Sequence, residues 1–339
     1  MEYSRNPDGY RNTLVIGTRG SRLALIQAEK VKQALERVFQ GKSRDNNRLG
    51  GDFSSISIKI KTIKTRGDKR LDSPLSKIGE KGLFIREIEE ALLSGEVDIA
   101  VHSLKDLPVQ IPGGLKLGGV LKRDEPRDVL VSLKRKQLID LEKGDTLATS
   151  SLRRKAQILY FNRELRIVDV RGNVDTRLRK LKEGLANALI LAGAGLLRAG
   201  YEEEITEFIP MDIMLPAACQ GIIAMETRED DPFCAEIVEA VTHSETFICA
   251  KAERAFLKIM EGGCQVPIGC YSQLNGTGIE SKFSVTGLIS DLEGKRLIRK
   301  SAMGAVPEAE KISAKLAEEI LASGGVEILD EIRGVARNE

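Results

Sequence analysis

The sequence is poor in the residues on which several kinds of chemistry depend. It has no Trp, and aromatic residues make up 4% of it, so extended base-stacking surfaces are not expected. It has two histidines, His102 and His243, and both lie far in sequence from any cysteine pair, which leaves nothing with the spacing of a zinc site. The five cysteines (219, 234, 249, 264 and 270) are odd in number and include no CxxC, so a disulfide framework is not expected either. No window approaches eighteen consecutive apolar residues. The opening MEYSRNPDGYRN has no apolar stretch of the secretory kind, so a cytoplasmic protein is expected. Net charge is +2 from 52 basic and 50 acidic residues, unlike a protein that coats nucleic acid. What chemistry there is must run on Asp, Arg, Lys or a lone Cys.

With 339 residues, the chain has length for two or three domains and needs no staples to bury their cores. TLVIGT (13–18) reads as a buried strand and runs into a helix carrying Leu23, Ile26, Ala34, Leu35 and Val38. The alternating SISIKIKTI (55–63) then makes a second strand, so the three form a βαβ unit. A polar loop (65–82) separates this unit from the helix LFIREIEEALLSG and the short strand VDIAV (97–101). The chain crosses over near 123–128, runs through a second αβ series, and returns at 210–221 into IIAMET. From about 244 the texture changes to a long helix, a hairpin around 291–294 and a last helix after Pro307, a small module of ordinary domain size.

Three features carry chemistry. The first is the stretch 150–182, which holds ten Lys and Arg against three acids; solvated helix faces are the bland alternative. Ser151, Arg153 and Arg154 sit at a strand-to-helix junction, and Arg171 with Gly172 repeats the arrangement at the next one. Cations at a helix N-terminus oppose its dipole, so an anion between them is expected. Arg outnumbers Lys here, which suits carboxylate or phosphate recognition and points to a ligand with several acidic groups.

The second is Lys105-Asp106, just beyond the strand 97–101, where open α/β sheets bind ligands; a surface ion pair on a turn is the alternative. An aspartate among arginines stays ionised and suits the stabilisation of a developing cation. The third is Cys264 in EGGC, the one cysteine on a Gly-rich loop, where a thiolate could take a covalent group; the other four read as small buried hydrophobes. His102 reads as a structural or orienting residue. Gly193-Ala194-Gly195 lacks the spacing of a dinucleotide fingerprint. On these residues alone, an anion-binding module in a two-lobed fold remains open beside an enzyme.

The sequence closely resembles the porphobilinogen deaminase (hydroxymethylbilane synthase) family. The matching blocks are IGTRGSRLALIQA (16–28), TRGD (65–68), LSKIGEKGLF (75–84), DIAVHSLKDLP (98–108), KRDEPRDVLVS (122–132), TSSLRRKAQ (149–157), VRGNVDTRLRKL (170–181), LILAGAGLLRAG (189–200) and AERAFLKIMEGGCQVPIG (252–269), in family order over nearly the whole chain. The resemblance implies an α/β fold of two periplasmic-binding-protein-like domains, the second inserted in the first, plus a small C-terminal α+β domain. The implied division is 11–122 with 220–243, then 123–219, then 244–339.

It also implies head-to-tail condensation of four porphobilinogen molecules into linear hydroxymethylbilane with release of ammonia, on one dipyrromethane cofactor held as a thioether by Cys264. Asp106 and Lys105 fall on the catalytic positions. Lys81, Ser103, Lys105, Asp106, Thr149, Ser151, Arg153, Arg154, Arg171 and Gly172 fall on the cofactor contacts. Arg19, Ser21, Arg171, Arg177, Arg198 and Gln220 fall on the substrate contacts. The expected partners are porphobilinogen and its polypyrrole intermediates, without nucleic acid, membrane or metal, and the expected state is a monomer. The sequence departs from the family in its longer loop 41–52, an N-terminal extension, and Cys219 where many members have glycine.

Overall fold

The structure is a computed structural model and describes residues 12–41, 56–65, 85–260, 266–276 and 281–338. The chain forms two compact units. Of the described residues, the first takes those up to 123 together with 222–247, and the second takes those of 124–221 and 248–338.

In the first unit, β1 (Thr13–Arg19) leads through α1 (Arg22–Phe39) to β2 (Ser57–Ile63). Pairing of β1 and β2 is parallel, with Leu14 opposite Ile58 and Ile16 opposite Ile60, as the βαβ reading requires. Ser21 caps α1 by accepting from Ala24 N, and the helix buries Ala28, Val31 and Leu35 at helical spacing against the sheet. Next come α2 (Arg86–Leu93), closed by Gly95 in the left-handed conformation, and β3 (Ile99–Ser103), with β4 (Leu115–Val120) beyond it. After the excursion into the second unit the chain returns as β10 (Ile223–Arg228), followed by α6 (Pro232–Val241). The sheet order is β2-β1-β3-β10-β4, with β10 antiparallel to both of its neighbours.

The second unit repeats this plan. Its first sheet holds β5 (Asp128–Ser132), β6 (Thr146–Ala148), β7 (Arg166–Val168), β8 (Ala188–Ala192) and β9 (Glu207–Phe208), in the order β7-β6-β8-β5-β9. Its helices are α3 (Leu152–Phe161), α4 (Val174–Lys182) and α5 (Gly193–Ala199). β7, β6 and β8 run parallel, and β5 is antiparallel to β8. In each sheet, then, an antiparallel strand sits fourth, beside the third parallel strand. In one sheet that strand arrives after the insertion (β10); in the other it opens the insertion (β5). Two like αβ domains, the second inserted in the first, follow from this strand order.

The second unit also holds a three-stranded antiparallel sheet: β11 (Ile268–Asn275), β12 (Lys282–Ser290) and β13 (Leu297–Ala305). α7 (Ser244–Ile259), α8 (Ala309–Ile320) and α9 (Val326–Asn338) accompany it. Phe256, Phe283, Leu316 and Ile320 pack in the core of this module. The hairpin expected from sequence is the β12–β13 pair; β11 is a third strand that the reading did not include. Glu253 of α7 is fully buried and accepts from Ser272 N at 2.8 Å, Ser272 Oγ at 2.9 Å and Cys219 N, which ties the module to the segment before β10. No helix among the described residues is long and apolar enough to cross a membrane.

Candidate functional site

In the first unit β1 and β3 are adjacent and parallel, with Gly17 opposite Ala100. Their C-terminal ends therefore emerge side by side, and those ends carry Arg19 with Ser21 on one strand and Ser103, Lys105 and Asp106 on the other. This is the edge at which an open α/β sheet presents ligand-binding groups. The chain beyond β3 makes a 3-10 turn over Leu104–Asp106. Buried Leu104 anchors the turn, and its N–H donates to Ile222 O at 3.0 Å. Ser103 Oγ accepts from Gln27 Nε2 at 2.7 Å, so the hydroxyl proton remains available for a second partner. Asp106 is exposed at the tip of the turn.

The second unit builds the same kind of edge. Thr149 is buried, and its Oγ1 accepts from Ser151 N at 3.2 Å. Ser150 Oγ donates to Val170 O at 2.8 Å and accepts from Val170 N at 3.0 Å, which pins the end of β6 to the segment after β7. Ser151 caps α3. Asn173 caps α4, and Gly172, at φ +114, makes the turn before it; a Cβ there would meet the Thr176 side chain at 2.6 Å. Arg177 Nε donates to Gly172 O at 2.8 Å and Lys180 Nζ to Arg171 O at 3.3 Å, so two of the basic residues brace this turn from their own helix.

Sequence reasoning expected an anion among Arg153 and Arg154, and the structure supplies one from within the chain. Asp128, fully buried at the start of β5, lies opposite Ala192 at the end of β8. Its carboxylate accepts from Arg153 Nη1 at 2.7 Å, Arg154 Nε at 3.0 Å and Gln220 Nε2 at 3.0 Å. Burial alone would raise this carboxyl. The charges of Arg153 and Arg154 and the hydrogen bonds from Arg153 and Gln220 outweigh burial and hold it well below the ordinary carboxylate range. Arg154 Nη1 also donates to Ile190 O at 3.1 Å, and Arg153 Nη1 to Leu215 O at 2.7 Å. Two guanidinium groups on one carboxylate leave one positive charge uncompensated beside the α3 N-terminus. Among the described residues, Arg153 makes its hydrogen bonds through Nη1 and leaves Nε and Nη2 over.

Arg198 and Gln220 are likewise engaged by the chain itself. Arg198 Nε donates to Asp124 Oδ2 at 2.7 Å and its Nη2 to Gly221 O at 2.6 Å, joining the two crossover segments. Burial lowers the Arg198 pKa, and the Asp124 charge opposes this. Gln220 is fully buried and also donates to Pro126 O at 2.8 Å. Lys81 and Cys264 lie outside the described residues; Cys219, Cys234, Cys249 and Cys270 are buried.

Sequence reasoning missed Asp128, Gln27 and the acid Glu226 inside β10. The first lies within the block KRDEPRDVLVS (122–132), but nothing local marks it as the counter-ion of residues twenty-five positions on. One further grouping among the described residues, Asp98, Asp231 and Cys234, brings ligand-type atoms within 4.8 Å of one another. Its carboxylates are already bound by Arg228, by Val15 N and by Cys234 N.

Two family models match the chain. Residues 14–236 match porphobilinogen deaminase, dipyromethane cofactor binding domain, and residues 247–322 match porphobilinogen deaminase, C-terminal domain. Porphobilinogen deaminase of Syntrophomonas wolfei is 45% identical over 320 residues, covering 94% of this chain and 99% of its own. The Geobacter sulfurreducens enzyme of the same name is 44% identical over 330 residues, covering 97% and 98%. Among solved structures, the periplasmic VFT2 domain of Bordetella pertussis BvgS covers 70% of this chain and 92% of its own at 12% identity, with a TM-score of 0.38, a likeness too slight to build on.

Proposed function

This chain belongs to the porphobilinogen deaminase family and is a transferase of tetrapyrrole biosynthesis that carries out the hydroxymethylbilane synthase reaction with a dipyrromethane cofactor, and from that premise we propose which of its residues do the work. The match of both family models carries the function. The shared placement of candidate residues at the C-terminal edge of each parallel sheet supports the residue assignment.

The donor set in the second unit fits a group that bears several carboxylates. It offers one unbalanced guanidinium charge, spare N–H groups on Arg153 and the N-terminus of α3. When bound, the dipyrromethane supplies the free pyrrole α-carbon from which the oligomer grows. Arg153, Arg154, Arg171 and Gly172, with Thr149 and Ser151, hold the acidic side chains, and Cys264 with Lys81 completes the attachment. Each porphobilinogen brings an acetate and a propionate, so the bound oligomer gains negative charge with every unit and the basic stretch 150–182 offsets it. Arg19, Ser21, Arg177, Arg198 and Gln220 serve the incoming substrate. Of these, Arg198 and Gln220 act by shaping the crossover that their hydrogen bonds close.

Loss of ammonia from the substrate leaves a cationic pyrrole, and Asp106, exposed on its turn beside Ser103 and Lys105, stabilises that charge. At comparable sites such electrostatic help is worth on the order of a hundredfold to a thousandfold in rate. Ser103 donates its remaining proton toward a carboxylate, and Lys105 adds a positive charge at the same turn. We read the chain as three domains, one around each sheet, and the protein as a cytoplasmic monomer that works without metal, membrane or nucleic acid. Its near-zero net charge is unlike that of a protein that coats nucleic acid, and no helix among the described residues is long and apolar enough to cross a membrane.

The test is an intact-protein mass followed by incubation with porphobilinogen. Protein purified from cells should outweigh its sequence by one dipyrromethane and then release ammonia, and Cys264→Ser should lack both the mass and the activity. A Cys264→Ser protein of the same added mass would remove the attachment site. Loaded protein that frees no ammonia would remove the function.

A further inference from the structure

Charged side chains in central strands are rare, because taking a charge out of water costs several kcal/mol unless it is paired and hydrogen-bonded. β10 lies between β3 and β4, its first five residues are buried, and one of them is Glu226. The same face of the pairing carries His102 of β3. Ala224 lies opposite His102 and Glu226 opposite Ala100, which makes His102 and Glu226 diagonal neighbours. Glu226 Oε2 is 3.2 Å from His102 Nε2, with the two side chains 0% and 4% exposed. The contact is out of line for a hydrogen bond, and neither Glu226 oxygen has a hydrogen-bond partner among the described residues. Glu89 of α2 joins them: its carboxyl is pushed up to about 7 by burial first and by the Glu226 charge second, with His102 opposing.

An apolar pair would hold these strands at lower cost. The location of this His–Glu pair is what sets it apart. His102 is the residue before Ser103, at the end of the strand that leads into the Leu104–Asp106 turn. Two contacts fix this end of β3: Ile222 O, just before β10, accepts from Leu104 N of the turn, and Glu226 of β10 lies against His102, two residues before the turn. A slip of one residue between β3 and β10 would turn Ser103 to the other face of the sheet and carry the following turn with it.

We propose that His102 and Glu226 are positioning residues for the reaction, a buried His–Glu pair that sets the end of β3 against β10 and so aims Ser103 and the turn bearing Lys105 and Asp106. This rests on the assignment of Asp106 to the chemistry. Neither residue touches substrate; both act through the turn.

The experiment compares unmodified holoenzyme with Glu226→Gln, Glu226→Asp, the double variant His102→Leu/Glu226→Leu, and Asp106→Asn. Cofactor content by intact mass, thermal midpoint, kcat and KM for porphobilinogen are read for each. Glu226→Gln should keep its cofactor and lose on the order of tenfold to a hundredfold in kcat, the scale of a small misplacement. Its KM should move much less, as for an interaction felt only in the transition state. Glu226→Asp should recover part of the loss. The double variant should melt at or above the unmodified midpoint yet remain slow.

A double variant with unmodified kcat would make the pair mere core filling and overturn the proposal, as would a Glu226→Gln enzyme of full activity. A set of variants none of which folds would assign the pair to stability alone and overturn it too. Asp106→Asn separates the two levels: full turnover in that variant alone would defeat the assignment of Asp106, whatever the pair does.

Discussion

Asp128 Oδ2 accepts a hydrogen bond from Arg153 Nη1 at 2.7 Å, with the carboxylate wholly buried and the guanidinium nearly so. The same carboxylate takes Arg154 and Gln220, so one acid orders three side chains that come from two other parts of the second unit. Removing it leaves two buried cations facing each other. Asp128→Ala should therefore cost about 3–5 kcal/mol of unfolding free energy, the range seen when one member of a buried ion pair is deleted. Urea unfolding checks the size. An Asp128→Ala protein as stable as the parent would mean that water or movement of the arginines compensates, and that the carboxylate does not organise them.

Glu89 gives a pH dependence with a definite sign. Burial, then the charge of Glu226, lifts its carboxyl from the ordinary 4.5 to about 7. Between those values the folded protein keeps a proton that the unfolded chain has released. Unfolding then releases a proton, so this group makes the protein less stable as pH rises from 4.5 to about 7. Glu89→Gln removes the effect. The stability difference between variant and parent, from urea titrations across that range, should grow in favour of the variant as pH rises and level off above it. A difference that stays flat would show that Glu89 ionises freely in the folded state.

The parts of this architecture that could be read from sequence are those whose signal is local. Ile56, Ile58 and Ile60 alternate, and β1 pairs with β2 in parallel as that pattern implies; of the apolar positions read on α1, Leu35 is buried, while the helix also buries Ala28 and Val31, which the pattern did not single out. β4 was not legible, because LKLGGV carries two glycines and its order comes from β10, more than a hundred residues away. β9 has two residues and exists only as a partner for β5. The site divides in the same way. Lys105-Asp106 and the basic junctions stand directly after strands and could be found from that position. Asp128 and Glu226 could not, since an acid inside a strand reads as a solvent-facing position until its distant cation is known. The anion that the sequence implies at Arg153 and Arg154 is in part the internal carboxylate of Asp128, and the charge left for a ligand is correspondingly smaller.

Cys219 occupies a left-handed backbone conformation, with φ +62, which favours glycine. For an L-residue this costs roughly 1–2 kcal/mol. Against that, the thiol is buried, near Ala250 O, and its loss forfeits on the order of 1 kcal/mol. Glycine also raises the entropy of the unfolded chain by about 0.5–1 kcal/mol. The contributions nearly cancel, so Cys219→Gly should change stability by less than about 1 kcal/mol. Cys219→Val should lose about 2 kcal/mol or more, because a β-branched residue tolerates positive φ worst. Denaturant midpoints of the two variants decide it. Equal losses would show that packing around the thiol, and not the backbone, sets the residue at this crossover.

Arg198 distinguishes a residue that shapes the site from one that only binds. Its Nε donates to Asp124 and its Nη2 to Gly221 O, with a side chain 4% exposed. A lysine has no planar fork and cannot reach both acceptors along these two directions. It would also bring a strongly hydrated ammonium into a buried place, where charge is already disfavoured for Arg198 itself. Arg198→Lys should thus cost about 1–3 kcal/mol of stability, the loss of one charge-assisted bond and the exposure of an acceptor left without a donor. If Arg198 serves substrate through this crossover, KM for porphobilinogen should rise along with the stability loss, and added salt should not mimic the effect. A Lys variant that melts like the parent but binds substrate poorly would mean that Arg198 contacts the substrate carboxylates directly, with the Asp124 and Gly221 bonds playing no part in holding it.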